Sequence, residues 1–315
     1  MYIDRNRYGY RSHIRRKRLI FYAAAFVIVG LLVTLTVWLP GKIRSGAGRE
    51  RKELLQLWES GSYEEVYWKT RAALDSRPLD YFLLTMNGFS AYQLGYSQIN
   101  RQDEERYFND CIQALRKALL LKNSAHDGRV YYVLGKAYHY KGDSYADLSA
   151  KYLEEAKVLL YGAADIPEYL GLAYAALGDY RSSVEAFSDA LGVQDPGRKP
   201  PGILLLSIAK SYFALDELDT ARSYLQHCIE VSSDYQTVLA AKFLLVEIFK
   251  KADDIEKAKK LLQEIIAEMG DNAEAHYQLG DLYLLQGDTT RARAEWRLAL
   301  RSDPAHARAR TRLSQ

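Results

Sequence analysis

One spacing of small and aromatic residues recurs along most of this chain, and it leaves few folds open. Between Ala273 and Pro304, Leu279-Gly280 is followed by Tyr283, then by Gly287-Asp288, Ala292, Trp296, Ala299 and Pro304. Two helices joined by a tight turn account for that order. Gly280 and the Ala292/Ala299 pair keep the surface small where the helices cross, and Tyr283 and Trp296 fill the space between them. Gly287-Asp288 supplies the turn. Stepping back about 34 to 38 residues at a time restores the pattern, which marks an array of helix pairs. One copy holds Leu170-Gly171, Tyr174, Gly178-Asp179-Tyr180, Phe187 and Ala190, with Asp165 placed as an N-cap and Pro167 in the first turn. Another holds Leu134-Gly135, Tyr138 and Gly142-Asp143, then two inserted residues before Ser149, Leu153 and Ala156.

Two further copies have lost their glycines and kept their apolar spacing: Ile208-Ala209, Tyr212, Ala221, Leu225 and Cys228, then Leu245-Val246, Phe249, Ala258, Leu262 and Ile265. Towards the N-terminus, Gly61, Tyr63, Ala73 and Pro78 fit the second half of a copy. Gly88, Gly95, Cys111, Leu115 and Ala118 fit another, in which Tyr96 to Arg106 form an insertion that predicts a longer helix or an exposed loop. The stretch Gly192 to Gly202, with three prolines, interrupts any helix and reads as a loop on the solenoid edge, with a hinge between two halves as the alternative.

The L-G-x-x-Y, turn, A-x-x-x-F, A, P order resembles the tetratricopeptide-repeat (TPR) family at every slot of the best copy but the first, where His276 stands in place of Trp. The resemblance implies an all-α, TPR superhelical solenoid of about seven helix pairs, preceded by one transmembrane helix. Repeats are expected at 47–80, 81–127, 128–163, 164–198, 202–238, 239–272 and 273–306, with a capping segment at 307–315. In such a right-handed superhelix the first helix of each pair lines a concave groove and the second forms the back. The family serves many partners, so membership alone names none.

From Leu19 to Leu39 no residue is charged, and as a helix this stretch reaches about 31 Å, enough to span a bilayer core. Tyr22 and Trp38 sit at its ends, Pro40-Gly41 closes it, and no small-x-small cleavage site follows. The basic block Arg15-Arg16-Lys17-Arg18 abuts it. These features predict a cytoplasmic tail at 1–18, a single-pass inner-membrane anchor at 19–39, a linker at 40–46 and an extracytoplasmic, periplasmic repeat domain.

Little else points to chemistry. The net charge is only +3, with the basic excess near the N-terminus, which argues against nucleic acid. Six histidines lack metal-ligand spacing, and no nucleophile elbow, P-loop or dinucleotide fingerprint occurs, so neither an enzyme, a cofactor nor a small-molecule substrate is expected. The two cysteines, Cys111 and Cys228, read as small buried side chains. Of the 25 tyrosines, Tyr138, Tyr174, Tyr212 and Tyr283 share one interhelical slot and belong to the core.

The slots that should face the groove hold Phe82, Phe89 and Tyr92, then Arg129, Tyr132, Lys136 and His139, then Glu168, and finally Lys210 and Phe213. Rings beside cations suit a peptide segment held by stacking, cation–π contact and charge pairing; the competing reading has these rings packed against neighbouring repeats. The layout predicts an anchored interaction scaffold for other proteins. Resemblance to anchored TPR proteins points to the assembly of an envelope complex, such as a periplasmic flagellar collar or a secretion and folding assembly. A regulator of an envelope or cell-wall enzyme is the alternative.

Overall fold

Most helices among the described residues carry a stripe of apolar residues at helical spacing, and several begin on a side-chain cap, among them those after Asp80, Asn100, Asp127, Asp234, Asp254, Asn272 and Asp288. The computed structural model describes residues 45–121, 127–192 and 199–314. Among them are fifteen α-helices and no strand. The tail at 1–18 and the apolar segment at 19–39 lie outside the described residues. No helix among the described residues is long and apolar enough to cross a membrane.

The chain divides into two compact units between Val193 and Gln194, inside the proline-rich stretch. The first unit contains α1 (Ser45–Glu59), α2 (Tyr63–Ser76), α3 (Tyr81–Ser97), α4 (Arg101–Leu119), α5 (Gly128–Lys141), α6 (Ala146–Val158), α7 (Ile166–Leu177) and α8 (Tyr180–Gly192). The second contains α9 (Gly202–Ala214), α10 (Leu218–Val231), α11 (Tyr235–Lys251), α12 (Ile255–Met269), α13 (Ala273–Leu285), α14 (Thr289–Ser302) and α15 (Ala307–Ser314). Within each unit, most helices are joined by short turns and pack chiefly against their neighbours in sequence.

The residues between Tyr96 and Arg106 lengthen both flanking helices: α3 runs for 17 residues and α4 for 19. The two residues inserted after Gly142 are taken up in a 3-10 turn, Asp143–Tyr145.

The small residue after the leucine of each first helix is where the paired helices meet. A Cβ on Gly171 would lie 2.5 Å from the Phe187 ring, and one on Gly280 would lie 2.6 Å from the Trp296 ring. In the first unit this crossing also carries a hydrogen bond, with Ser149 Oγ donating to the Gly135 carbonyl at 2.9 Å and Ser183 Oγ to that of Gly171 at 2.8 Å. The second unit places Ala221, Ala258 and Ala292 at the serine position, all fully buried.

The turns that end α5, α7, α9, α11 and α13 each hold one residue at positive φ, whichever residue stands there. Gly142, Gly178 and Gly287 have φ of 113°, 78° and 80°; the two copies without glycine put Asp216 and Asp253 there, at 61° and 55°. Aspartate tolerates the left-handed region better than most side chains, so the turn survives where the glycine does not.

His276, at the tryptophan slot, is buried with Nδ1 2.7 Å from Glu295 Oε2. Both cysteines are free and buried. In the second unit, α15 packs Ala309 and Leu313 against the Trp296 cluster.

Candidate functional site

The candidate residues of the first unit stand on α3, α5 and α7, first helices that touch one another directly. Phe82, on the first turn of α3, is half-buried with the Arg51 guanidinium 5.0 Å from its ring. One turn and more along α3, Phe89 and Tyr92 are buried. Arg129 lies 4.2 Å over the Phe89 ring and 5.6 Å over Trp58. Tyr92 packs against Phe108, Tyr96 and Tyr140. On α5, Tyr132 and Lys136 are buried, while His139 is half-buried and meets the Tyr169 ring edge-on at 5.0 Å. Glu168 on α7 is half-buried.

The structure thus brings Phe89, Tyr92, Arg129, Tyr132, Lys136 and His139 into one packed region. Lys210 and Phe213 belong to the second unit, on α9. There Lys210 is exposed and Phe213 is half-buried beneath the Lys251 ammonium, 4.9 Å from its ring.

At the centre of the packed region is a buried ion pair that sequence reasoning missed. Lys136 Nζ donates to Asp165 Oδ2 at 2.8 Å and to the Tyr132 hydroxyl at 3.1 Å. The Tyr132 hydroxyl donates to Asp165 Oδ1, also at 2.8 Å. The ammonium further sits 4.4 Å from the Tyr169 ring centre. Asp165 was expected to cap α7, and it makes no side-chain capping bond. Its carboxylate is taken by Lys136 and Tyr132, and Pro167 in the first turn of α7 lacks one of the amides a cap would serve.

Burial is the largest influence on the Lys136 ammonium and works against it, yet Asp165, Tyr132, Tyr169 and Tyr92 together outweigh it and hold the group well above its ordinary range. Burial likewise pushes the Tyr92 and Tyr140 hydroxyls well up. Tyr140 and Tyr169 share a hydrogen bond of 2.8 Å between their hydroxyls. Nearby, burial lowers Arg129, opposed by Tyr161 and Asp127, and the Tyr81 hydroxyl donates to Asp127 Oδ2 at 2.6 Å.

The arrangement is sealed and charge-compensated. A pair this deep is costly to break, because the partner left behind has no water to solvate it. Phe89, Tyr92, Tyr132 and Lys136 therefore pack against neighbouring repeats, Arg129 is laid over the Phe89 and Trp58 rings, and of the rest of the predicted set Lys210 is exposed and Phe82, His139, Glu168 and Phe213 are half-buried. Aspartate two residues before a proline was the one trace of Asp165 in the sequence, and local rules assign it to a cap.

A separate, open depression of about 590 Å³ lies on the first unit, lined by Tyr63, Glu64, Glu65, Trp68, Lys69 and Leu94 among others, with Trp68 53 % exposed. Among the described residues no cluster of three or more His, Cys, Asp or Glu side chains is placed to hold a metal ion.

Two stretches of the chain match family models described as tetratricopeptide repeat, residues 204–235 and 249–315. Comparison with curated proteins finds no match. Among solved structures, the C-terminal part of a TPR repeat-containing protein from Cytophaga hutchinsonii aligns with a TM-score of 0.59 at 14% identity, covering 84% of this chain and 100% of that one. PilW, titled a widely conserved type IV pilus biogenesis factor, aligns at 0.55 with 16% identity, covering 71% and 97%. A tetratricopeptide repeat protein from Parabacteroides merdae aligns at 0.51 with 14% identity, covering 84% and 98%. The fold is that of tetratricopeptide-repeat solenoids.

Proposed function

We propose that this protein is an interaction scaffold, held at the inner membrane by residues 19–39 with its repeats on the extracytoplasmic side, that receives segments of partner proteins on its first-helix faces during assembly of an envelope complex. The observation that carries this reading is the TPR-type stack within each unit, whose first helices keep Phe82, His139 and Glu168 in the first unit, and Lys210 and Phe213 in the second, at least partly accessible. An anchor raises the effective concentration of such a scaffold beside other membrane proteins, so modest affinity suffices. PilW, a pilus biogenesis factor of the same fold, is a precedent for assembly work.

Photo-crosslinking tests the reading in the native membrane. Benzophenone side chains at Phe82, His139 and Lys210 are expected to capture one discrete set of proteins, while the same group at Lys151, exposed on the second helix α6, captures none of them. Equal capture at Lys151 refutes a first-helix binding face. Capture of one enzyme whose activity changes with the scaffold moves the role to regulation. A topology reporter fused after Gln315 that reads cytoplasmic refutes the proposed orientation.

A further inference from the structure

Seven arginines and no lysine occur between Thr289 and Ser314, against two acidic residues, Glu295 and Asp303. Four of the seven are compensated by carboxylates: Arg291 by Asp288, Arg301 by Asp271, Arg308 by Glu274 and Arg312 by Asp281. Among the described residues no carboxylate pairs with Arg293, Arg297 or Arg310, and all three are exposed. Arg293 instead donates to the Leu313 carbonyl at 3.2 Å, which ties α14 to the far end of α15, and Arg310 donates to the Pro304 carbonyl. Both guanidiniums keep further donors open, since each carries five N–H groups.

Arg293 and Arg297 are about one turn apart on an exposed flank of α14, beside its buried stripe of Ala292, Trp296 and Ala299. Their spacing along the axis is about 6 Å. Carboxylates at alternate positions of an extended chain repeat at nearly the same interval, about 6.6 Å. Guanidinium forks bind carboxylates in pairs of parallel hydrogen bonds, which lysines cannot do.

We propose that this arginine face of α14 and α15 docks an acidic segment of a partner protein whose Asp or Glu side chains alternate along an extended stretch. A membrane surface fits less well, because the exposed neighbours on this face are Thr290, Ala294 and Thr311, with no large apolar side chain to insert. Duplex nucleic acid fits less well too. The carboxylates of Glu274, Asp281 and Asp303 stand around the same helices and oppose a polyanion that presses on the whole surface. The site is separate from the first-helix faces, so the crosslinking result above does not decide it.

The test uses the full chain in uncharged detergent and a fluorescein-labelled peptide of six Glu-Ser repeats, with its Gln-Ser counterpart as control. The acidic peptide is expected to bind, to weaken as NaCl rises, and to lose at least tenfold in affinity for the triple variant Arg293→Glu, Arg297→Glu, Arg310→Glu. The corresponding triple lysine variant retains charge without the fork and is expected to lose about threefold. A circular dichroism melt checks that both variants fold, and the lysine variant serves alone if the glutamate one does not. Absence of peptide binding, or affinity unchanged in the variants, overturns the proposal. So does tighter binding of a duplex oligonucleotide or of phosphatidylglycerol vesicles.

Discussion

The two units are built on one repeat, yet they fill it differently. The first closes its helix crossings with glycine and a serine-to-carbonyl bond, and packs its first helices with tyrosines around the buried Lys136–Asp165 pair. The second keeps glycine at one crossing, Gly280, uses Ala209 and Val246 at the other two, lacks the serine bond at all three, and fills its core with Leu205, Leu206, Leu225, Leu262 and Ile265. Polar groups inside the first unit must find their partners or the packing fails, which fixes one arrangement. Aliphatic side chains in the second make no such demand and tolerate substitution. The contrast separates a unit that is specified by hydrogen bonds from one that is specified by volume.

The sharpest way to break this contrast is Asp165→Ala, which strands the Lys136 ammonium in the interior. It is expected to cost about 3–5 kcal/mol, seen as lost hydrogen-exchange protection across α5 and α7 with α11 to α13 unchanged. The double change Lys136→Met, Asp165→Leu is expected to restore most of that protection. A loss no greater than the ~1 kcal/mol of an ordinary cap would show the pair to be solvated.

Alkaline pH is next. Burial, with Asp110 as hydrogen-bond acceptor, pushes the Tyr67 hydroxyl up to about 12, and Tyr92 and Tyr140 are also raised. Above pH ~10 the unfolded chain releases these protons while the folded chain keeps them, so stability falls as pH rises from there towards the folded values. Lys136 acts in the same direction. Its folded value is raised, so its contribution is complete below the unfolded value of ~10.4 and is lost as pH climbs through the folded one. Each proton so held contributes a slope of up to about 1.4 kcal/mol per pH unit. Urea unfolding of the full chain at a series of pH values measures it: a Tyr92→Phe, Tyr140→Phe variant is expected to flatten the slope, and Tyr212→Phe in the second unit to change it least. Equal flattening by the two would erase the distinction.

Smaller effects refine it. Gly171→Ala drives a methyl group into the Phe187 ring and is expected to cost about 1–3 kcal/mol. At the equivalent slot of the second unit, Ala209→Gly removes a buried methyl and is expected to cost about 1 kcal/mol. The smallest change has the opposite sign. Asp253→Gly relieves the left-handed backbone at φ 55° and is expected to stabilise the second unit by less than about 1 kcal/mol, read from exchange in α11 and α12.

The helix pairs were legible in the sequence because one glycine, one turn and one aromatic repeat at fixed intervals, and each has a steric reason to be there. The left-handed turns at Asp216 and Asp253 were less visible, since only their register with Gly178 and Gly287 betrays them. The candidate site was legible in part. Helical periodicity showed that Tyr92, Tyr132 and Lys136 face the same way, but not how closely α3, α5 and α7 approach one another, and that distance decides whether the rings are reachable or packed. Asp165 was misread because capping is a local rule and its real partner lies 29 residues back in the chain.

The placement of the two thiols has a practical consequence. Cys111 lies wholly within the first unit and Cys228 within the second, both buried and free, and burial raises both thiols, Cys228 to about 11. A thiol reagent added to the native protein therefore finds each sulfur only when the helices around it part. The untouched chain carries two stopwatches, one for each unit, and mass spectrometry of the two labelled peptides reads them side by side.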